Sequence, residues 1–262
     1  MDGLVFYLLL GAIAGVMAGL LGIGGGLVIV PALTWFFDSQ GVAPEILLHK
    51  AIATSLAVIA VSSLVSTYAH HLRGTIQWRL FTRLAPSLSL GALLGAWLAE
   101  SLSSDTLRIC FSVFELAIAL YLGFDKDPSA QRKLPGTLGL SVIGGTVGVI
   151  SALVGVGGGT LIVPLFLLCN VPVRDAISTS AALAFPIALS GSLGFLFFGA
   201  VSASADVAHS SYIDWQAFAF ITIASILFVP LGARLAHALP TATLKKAFAV
   251  LLAVIGLLML IS

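Results

Sequence analysis

Hydrophobic residues run along this chain in long blocks separated by short polar clusters, at approximately 4–20, 27–37, 46–70, 78–101, 106–124, 137–154, 160–169, 175–200, 214–238 and 242–261. Many of these blocks approach the roughly 20 apolar residues that cross a hydrocarbon core of about 30 Å. They predict helices, because a segment in lipid must satisfy its own backbone groups, and the pattern lacks the short alternating strands of a closed barrel. Residues 4–37 form one nearly continuous block, roughly 51 Å long as a straight helix at about 1.5 Å per residue, too long for a single span. Residues 137–170 pose the same problem. Both blocks contain runs of glycine, so each is expected to fold into two short helices broken at the glycines.

The pattern also repeats. Gly22-Ile-Gly-Gly-Gly-Leu-Val-Ile-Val-Pro31 matches Gly155-Val-Gly-Gly-Gly-Thr-Leu-Ile-Val-Pro164 at seven of ten positions, at an offset of 133. Ala51-Ile-Ala-Thr-Ser55 matches Ala176-Ile-Ser-Thr-Ser180 at four of five, at an offset of 125, and Leu94–Leu107 matches Leu231–Leu244 at eight of fourteen, at an offset of 137. The chain therefore reads as a tandem duplication: residues 1–124 are a first membrane repeat, 125–135 a basic cytoplasmic linker carrying Lys126, Arg132 and Lys133, and 136–262 a second repeat.

Charge decides how the repeats are oriented, since cytoplasmic loops collect Lys and Arg. If each repeat crosses the membrane an even number of times, the 12 basic residues divide six to six between the two sides. If each repeat has odd parity, the second is inverted, and ten of the 12 fall on one side with only Lys50 and Arg108 on the other. The expected fold is thus an all-α integral membrane protein of two inverted repeats. Each contains a Gly-broken pair of short helices and three transmembrane helices.

Composition narrows the function. Of 262 residues, 59% are apolar and 9% charged, and the mean hydropathy is +1.13, outside the range of soluble domains. A net charge of +1 leaves no basic surplus for nucleic acid. The expected partners are the lipid bilayer and a small anionic substrate, and a homo-oligomer is compatible with these features. Cys110 and Cys169 lie in apolar surroundings and predict no disulfide framework. Met1-Asp2-Gly3 lacks the basic flank of a secretory signal, so the first block is expected to stay in the membrane as a helix. No cofactor motif, zinc-type His-Glu-x-x-His, P-loop lysine or nucleophile elbow occurs, which argues against an enzyme and predicts no cofactor or metal.

The glycine runs are the leading candidates for a binding site. A helix that begins after a break presents free N–H groups and the positive end of its dipole, a ready-made anion site. Two such breaks related by inverted symmetry are how secondary transporters build a site near the midplane. The substrate-binding candidates are Gly22, Gly24, Gly25, Gly26, Gly155, Gly157, Gly158 and Gly159, together with the hydroxyls of Thr54, Ser55, Thr179 and Ser180. The alternative for the glycines is close packing, and for the hydroxyls a bond back to their own helix. Gly11, Gly15 and Gly19, like Gly144, Gly148 and Ala152, form small-residue stripes that read as helix packing. His49, Lys50 and Arg174 could place positive charge in a vestibule or anchor the interface. Glu115, in an apolar run, is the candidate for proton coupling.

With the duplicated Gly-x-Gly-Gly-Gly and Val-Pro boxes, and the duplicated Ala-Ile-x-Thr-Ser boxes, the chain resembles the sulfite exporter TauE/SafE family of bacterial membrane permeases over nearly its whole length. The resemblance implies a multi-pass protein of the cell inner membrane that moves sulfite, an organosulfonate or a related sulfur-containing anion. The combined expectation is a secondary transporter working by alternating access. A passive anion channel is the alternative, and an intramembrane enzyme has less support.

Overall fold

A computed structural model describes residues 2–21, 25–123, 134–202, 212–238 and 241–261. Most of the linker 125–135 lies outside these residues. Among them the chain forms ten helices and no strand: α1 (Asp2–Leu21), α2 (Gly26–Ser39), α3 (Pro44–His71), α4 (Trp78–Glu100), α5 (Ser104–Gly123), α6 (Thr137–Val154), α7 (Gly159–Leu168), α8 (Val173–Ser202), α9 (Trp215–Ala238) and α10 (Thr241–Ile261). The apolar blocks foretold these helices to within a few residues, including the two broken pairs α1/α2 and α6/α7. Cys110 and Cys169 are not joined in a disulfide.

Five helices, α3, α5, α6, α8 and α9, contain stretches long and apolar enough to cross a membrane. α1, α2, α7 and α10 supply shorter apolar stretches. α4 spans 23 residues but is more polar, with Arg79 and Arg83 near its start, Glu100 at its end and Pro86 inside. Its outer face is nevertheless apolar, with Leu90, Leu94 and Trp97 exposed, as are Val250, Val254 and Leu258 on α10. All four tryptophans, Trp35, Trp78, Trp97 and Trp215, are exposed within a few residues of a helix end, where an amphipathic ring favours the membrane–water interface.

Small residues set the packing. Lipid tails are as apolar as leucine, so helices in a membrane gain by close approach of their backbones. On α1, a Cβ at Gly11 or Gly15 would fall 2.5 Å from the carbonyl oxygens of Ile221 and Ser225 on α9, and one at Gly232 would strike Val16. Residue numbers rise together along this contact, so α1 and α9 run parallel. α4 and α6 do likewise: Gly144 faces Ser87, Gly91 faces Gly145, and Gly95 faces Val149 and Ala152. The stripes read as packing from the sequence therefore do pack, at Gly11, Gly15, Gly144, Gly148 and Ala152.

α3 and α8 form the centre, with α3 buried almost continuously from Leu48 to Ala60. They run antiparallel. Leu56 meets Gly191, Ile59 and Ala184 share a contact with Gly157, and His70 near the end of α3 reaches Ser178 near the start of α8. α5 packs on α10, where Gly256 lies against Glu115 and Leu116.

The packing role of the stripe makes a paired prediction. A Cβ at Gly148 would strike the Leu88 carbonyl, whereas one at Gly145 meets nothing within 4 Å. Gly148→Ala should cost about 1–3 kcal/mol by overpacking and lower the apparent Tm in detergent by several degrees. Gly145→Ala should leave Tm unchanged or raise it, since alanine favours helix. Equal effects of the two would contradict this packing.

Candidate functional site

The two glycine breaks meet. A Cβ on Gly26, at the start of α2, would fall 2.5 Å from the Gly155 carbonyl oxygen and 3.1 Å from Val156 Cα, so the first broken helix begins directly against the second break. Gly25 lies against Ala14 of α1. Gly155 touches Val30 of α2 and Ile52 of α3, and Gly157 touches Ile59 of α3 and Ala184 of α8. Gly22 and Gly24 lie outside the described residues.

The second break is built from two left-handed residues. Gly155 ends α6 at φ +76°, with the Val156 N–H returning to the Ser151 carbonyl at 2.9 Å, and Gly158 starts α7 at φ +74°. Glycine adopts this conformation without strain, which explains these two positions. A side chain at Gly158 would also strike Ile187 Cδ1, 2.5 Å from its Cβ position. Substituting the break glycines thus disturbs packing and backbone together and is a poor probe of ligand binding. Pro31 and Pro164 occupy the sixth position of α2 and α7, respectively, inside the helix.

The four box hydroxyls divide. Thr54 Oγ1 accepts the backbone N–H of Asp214 at 3.0 Å, just before α9, and Thr179 Oγ1 accepts that of Gln77 at 3.0 Å, just before α4. Ser55 Oγ donates to the Gly155 carbonyl at 2.9 Å, tying α3 to the second break. Ser180 Oγ is fully buried without a partner.

Around the threonines the two halves form matching clamps with different chemistry. Lys50, one turn before Thr54, makes an ion pair with Asp214 at 3.0 Å and lies over the Phe37 ring at 5.0 Å. Asp214 also caps α9, its Oδ1 accepting the Ala217 N–H at 2.9 Å. Asp175, one turn before Thr179, accepts a hydrogen bond from Gln77 Nε2 at 2.9 Å. The offset of 125 equates Lys50 with Asp175, and 137 equates Gln77 with Asp214. Because α3 and α8 are antiparallel, the clamps lie at opposite ends of the helix pair.

His49 is buried beside the ionic clamp. Its Nε2 donates to the Ala99 carbonyl at 3.0 Å, and its ring stacks on Tyr212 at 5.5 Å. Burial, and then the Glu100 carboxylate, push the Tyr212 phenol up to about 12, and it donates to Glu100 at 3.2 Å. At the other clamp, Ser178 bridges His70 at 3.0 Å and Thr75 at 2.8 Å. Arg174 is exposed at the start of α8. Glu115 faces α10 from α5, fully buried, with neither carboxylate oxygen partnered.

A small open cleft, with room for about one water molecule, is lined by Ala18, Ile59, Ser62, Ser63, Ser66, Ala181 and Ala184. The sequence reading passed over its serines and also Gln77, Asp175 and Asp214. The last three were within reach: carrying the repeat register one residue ahead of each Ala-Ile box gives Lys50 against Asp175, and Gln77-Trp78 aligns with Asp214-Trp215.

This arrangement defines a polytopic helical membrane protein with two broken helices meeting at a buried centre. The chain belongs to the sulfite exporter TauE/SafE family, which it matches over residues 7–259, and it is a membrane transporter of that family. It is 35% identical over 253 residues to a "Probable membrane transporter protein" of Haemophilus influenzae, covering 95% of each chain. A protein of the same description from Methanocaldococcus jannaschii is 28% identical over 265 residues, covering 97% of this chain and 94% of the relative. Another, from Bacillus subtilis, is 25% identical, covering 94% and 96%. No solved structure matches the chain.

The threonines make a stability prediction. Thr54→Val and Thr179→Val each leave a backbone N–H without its acceptor, at a cost of about 1–3 kcal/mol if the group stays buried. Both should lower the apparent Tm, and Thr54→Ser and Thr179→Ser should restore most of it. An unchanged Tm in the valine variants would show that water replaces these bonds.

Proposed function

We propose that the protein is a secondary transporter for a small sulfur-containing oxyanion, sulfite or an organosulfonate, working by alternating access in the bacterial inner membrane. The observation that carries this reading is the meeting of the start of α2 with the second glycine break, at Gly155 and Val156, beside α3. Helix starts offer N–H groups and positive dipole ends, which suit an anion and oppose a cation. Break glycines supply uncharged N–H donors there; of the box hydroxyls, Ser55 donates to Gly155, Thr54 and Thr179 accept backbone N–H groups and keep an O–H to donate, and Ser180 has no partner.

The antiparallel pairing of α3 and α8 supports the inverted reading of units 1–124 and 136–262. Equivalent helices related by a two-fold axis in the membrane plane run antiparallel, whereas an axis along the membrane normal would make them parallel. The two clamps suit the role of gates. In the charge-based topology the Lys50–Asp214 clamp faces outward and the Gln77–Asp175 clamp faces the cytoplasm. Opening one while the other stays closed would expose the centre to one side at a time. Lys50, already paired, would supply positive field only when its clamp opens. Glu115 is the group suited to carry a coupling proton, because an ionisable side chain at membrane depth is expensive and marks function. Its counterpart in the second half is Leu252, so coupling would reside in one half.

Purified protein in liposomes, loaded with unlabelled sulfite, taurine or an aryl sulfonate, should take up the matching labelled anion by counterflow that saturates. Flux that neither saturates nor responds to anion on the far side would favour the channel. Glu115→Gln should keep counterflow and lose the response to an imposed proton gradient; an intact response would remove Glu115 from coupling.

A further inference from the structure

We propose that the two breaks are unequal, and that the start of α7 forms the oxyanion-binding half of the site with Ser151 and Thr160 as its hydroxyl donors. This deepens the transport reading above and rests on it. Among the described residues, the backbone N–H groups of Gly157, Gly158, Gly159 and Thr160 have no protein acceptor. The first bonds of α7 are those from Leu161 and Ile162 to the Gly158 carbonyl. All four residues are buried, so four consecutive N–H donors without a protein acceptor lie at the head of a ten-residue helix.

Two hydroxyls add an independent signal. Ser151, 1% exposed, and Thr160, 4% exposed, have hydroxyl oxygens that are buried without any partner. A serine within a helix commonly bonds back to a carbonyl of the preceding turn, as Ser112 and Ser141 do in this protein. Ser151 Oγ instead points at the break, 3.2 Å from the Cβ position of Gly158. Thr160 lies in the first turn of α7. A buried hydroxyl without a partner is costly, and a chain that keeps two beside four free N–H groups has a set of donors awaiting an acceptor.

The chemistry selects the ligand. Backbone N–H groups only donate, and the helix start is positive, so the partner must accept several hydrogen bonds and carry negative charge. A sulfite or sulfonate head, with three oxygens, meets that description. The cleft adjoins this point, since its lining residues Ile59 and Ala184 are the neighbours of Gly157. The first break offers less. The repeat register of 133 places Ala18 where Ser151 stands and Leu27 where Thr160 stands.

The test measures binding of sulfite, sulfate, thiosulfate and taurine to the purified full chain by calorimetry, with the Tm of unliganded protein recorded in parallel. Ser151→Ala and Thr160→Val should each weaken the best-bound oxyanion by about tenfold to a hundredfold, the loss of one charge-assisted hydrogen bond. Because these hydroxyls have no protein partner, unliganded Tm should not fall in Ser151→Ala. Thr160→Ser should keep the affinity and covers the case in which the valine variant folds poorly. Thr222→Val, which removes another buried unpartnered hydroxyl on α9, should bind like the wild type. Unchanged affinity in Ser151→Ala and Thr160→Val, with the wild type binding, would overturn the subsite and leave the transport reading standing. Failure of the wild type to bind any of the four oxyanions would overturn both.

Discussion

A backbone N–H or C=O left unpaired in hydrocarbon costs several kcal/mol, and this chain interrupts its helices twice within apolar stretches. Much of the architecture answers that constraint. The breaks face one another rather than lipid, with Gly26 set against Gly155 and Val156. α3 and α8 enclose them, and Ser55 satisfies the Gly155 carbonyl from across the molecular centre. Among the described residues, the buried hydroxyls left without a partner include Ser151 and Thr160 on either side of the second break, beside the backbone N–H groups at the start of α7.

Duplication provides the frame, and divergence within it provides the chemistry. The threonine-to-backbone bonds are the same in both halves, since each fixes the start of a helix from the opposite half. The neighbouring pairs differ: Lys50 with Asp214 is ionic, whereas Asp175 takes a hydrogen bond from a glutamine. Equivalent positions thus hold clamps of different strength and different response to salt. If the clamps act as the proposed gates, a difference of about 1.4 kcal/mol between them would change the resting population about tenfold.

The helices were legible in the sequence because their signal is local. Apolar block length and glycine runs placed α1 to α10, and the repeated boxes contain Gly26 and Gly155, which meet, and Ser55, which bonds to Gly155. The assignment of partners was not legible, because it depends on residues distant in the chain. Thr54 and Thr179 accept N–H groups 160 and 102 positions away, partners that no local pattern names. Lys50 reads from the sequence as a vestibule charge or an interfacial anchor, and its partner Asp214 lies 164 positions away in a stretch without a motif. Ser151 and Thr160 escaped notice for the opposite reason. They break the repeat, and a search for similarity passes over the positions at which two halves differ.

The central claim is that two halves of opposite orientation enclose one site, so the equivalent helices α3 and α8 must start on opposite faces of the membrane. Glu45 and Val173, both exposed, lie at those two starts. In a background with Cys110 and Cys169 replaced, single cysteines at the two positions can be treated in intact cells with a membrane-impermeant maleimide. The account predicts that Glu45→Cys is labelled at once and Val173→Cys only after the membrane is opened. Labelling of both from the same side would contradict it.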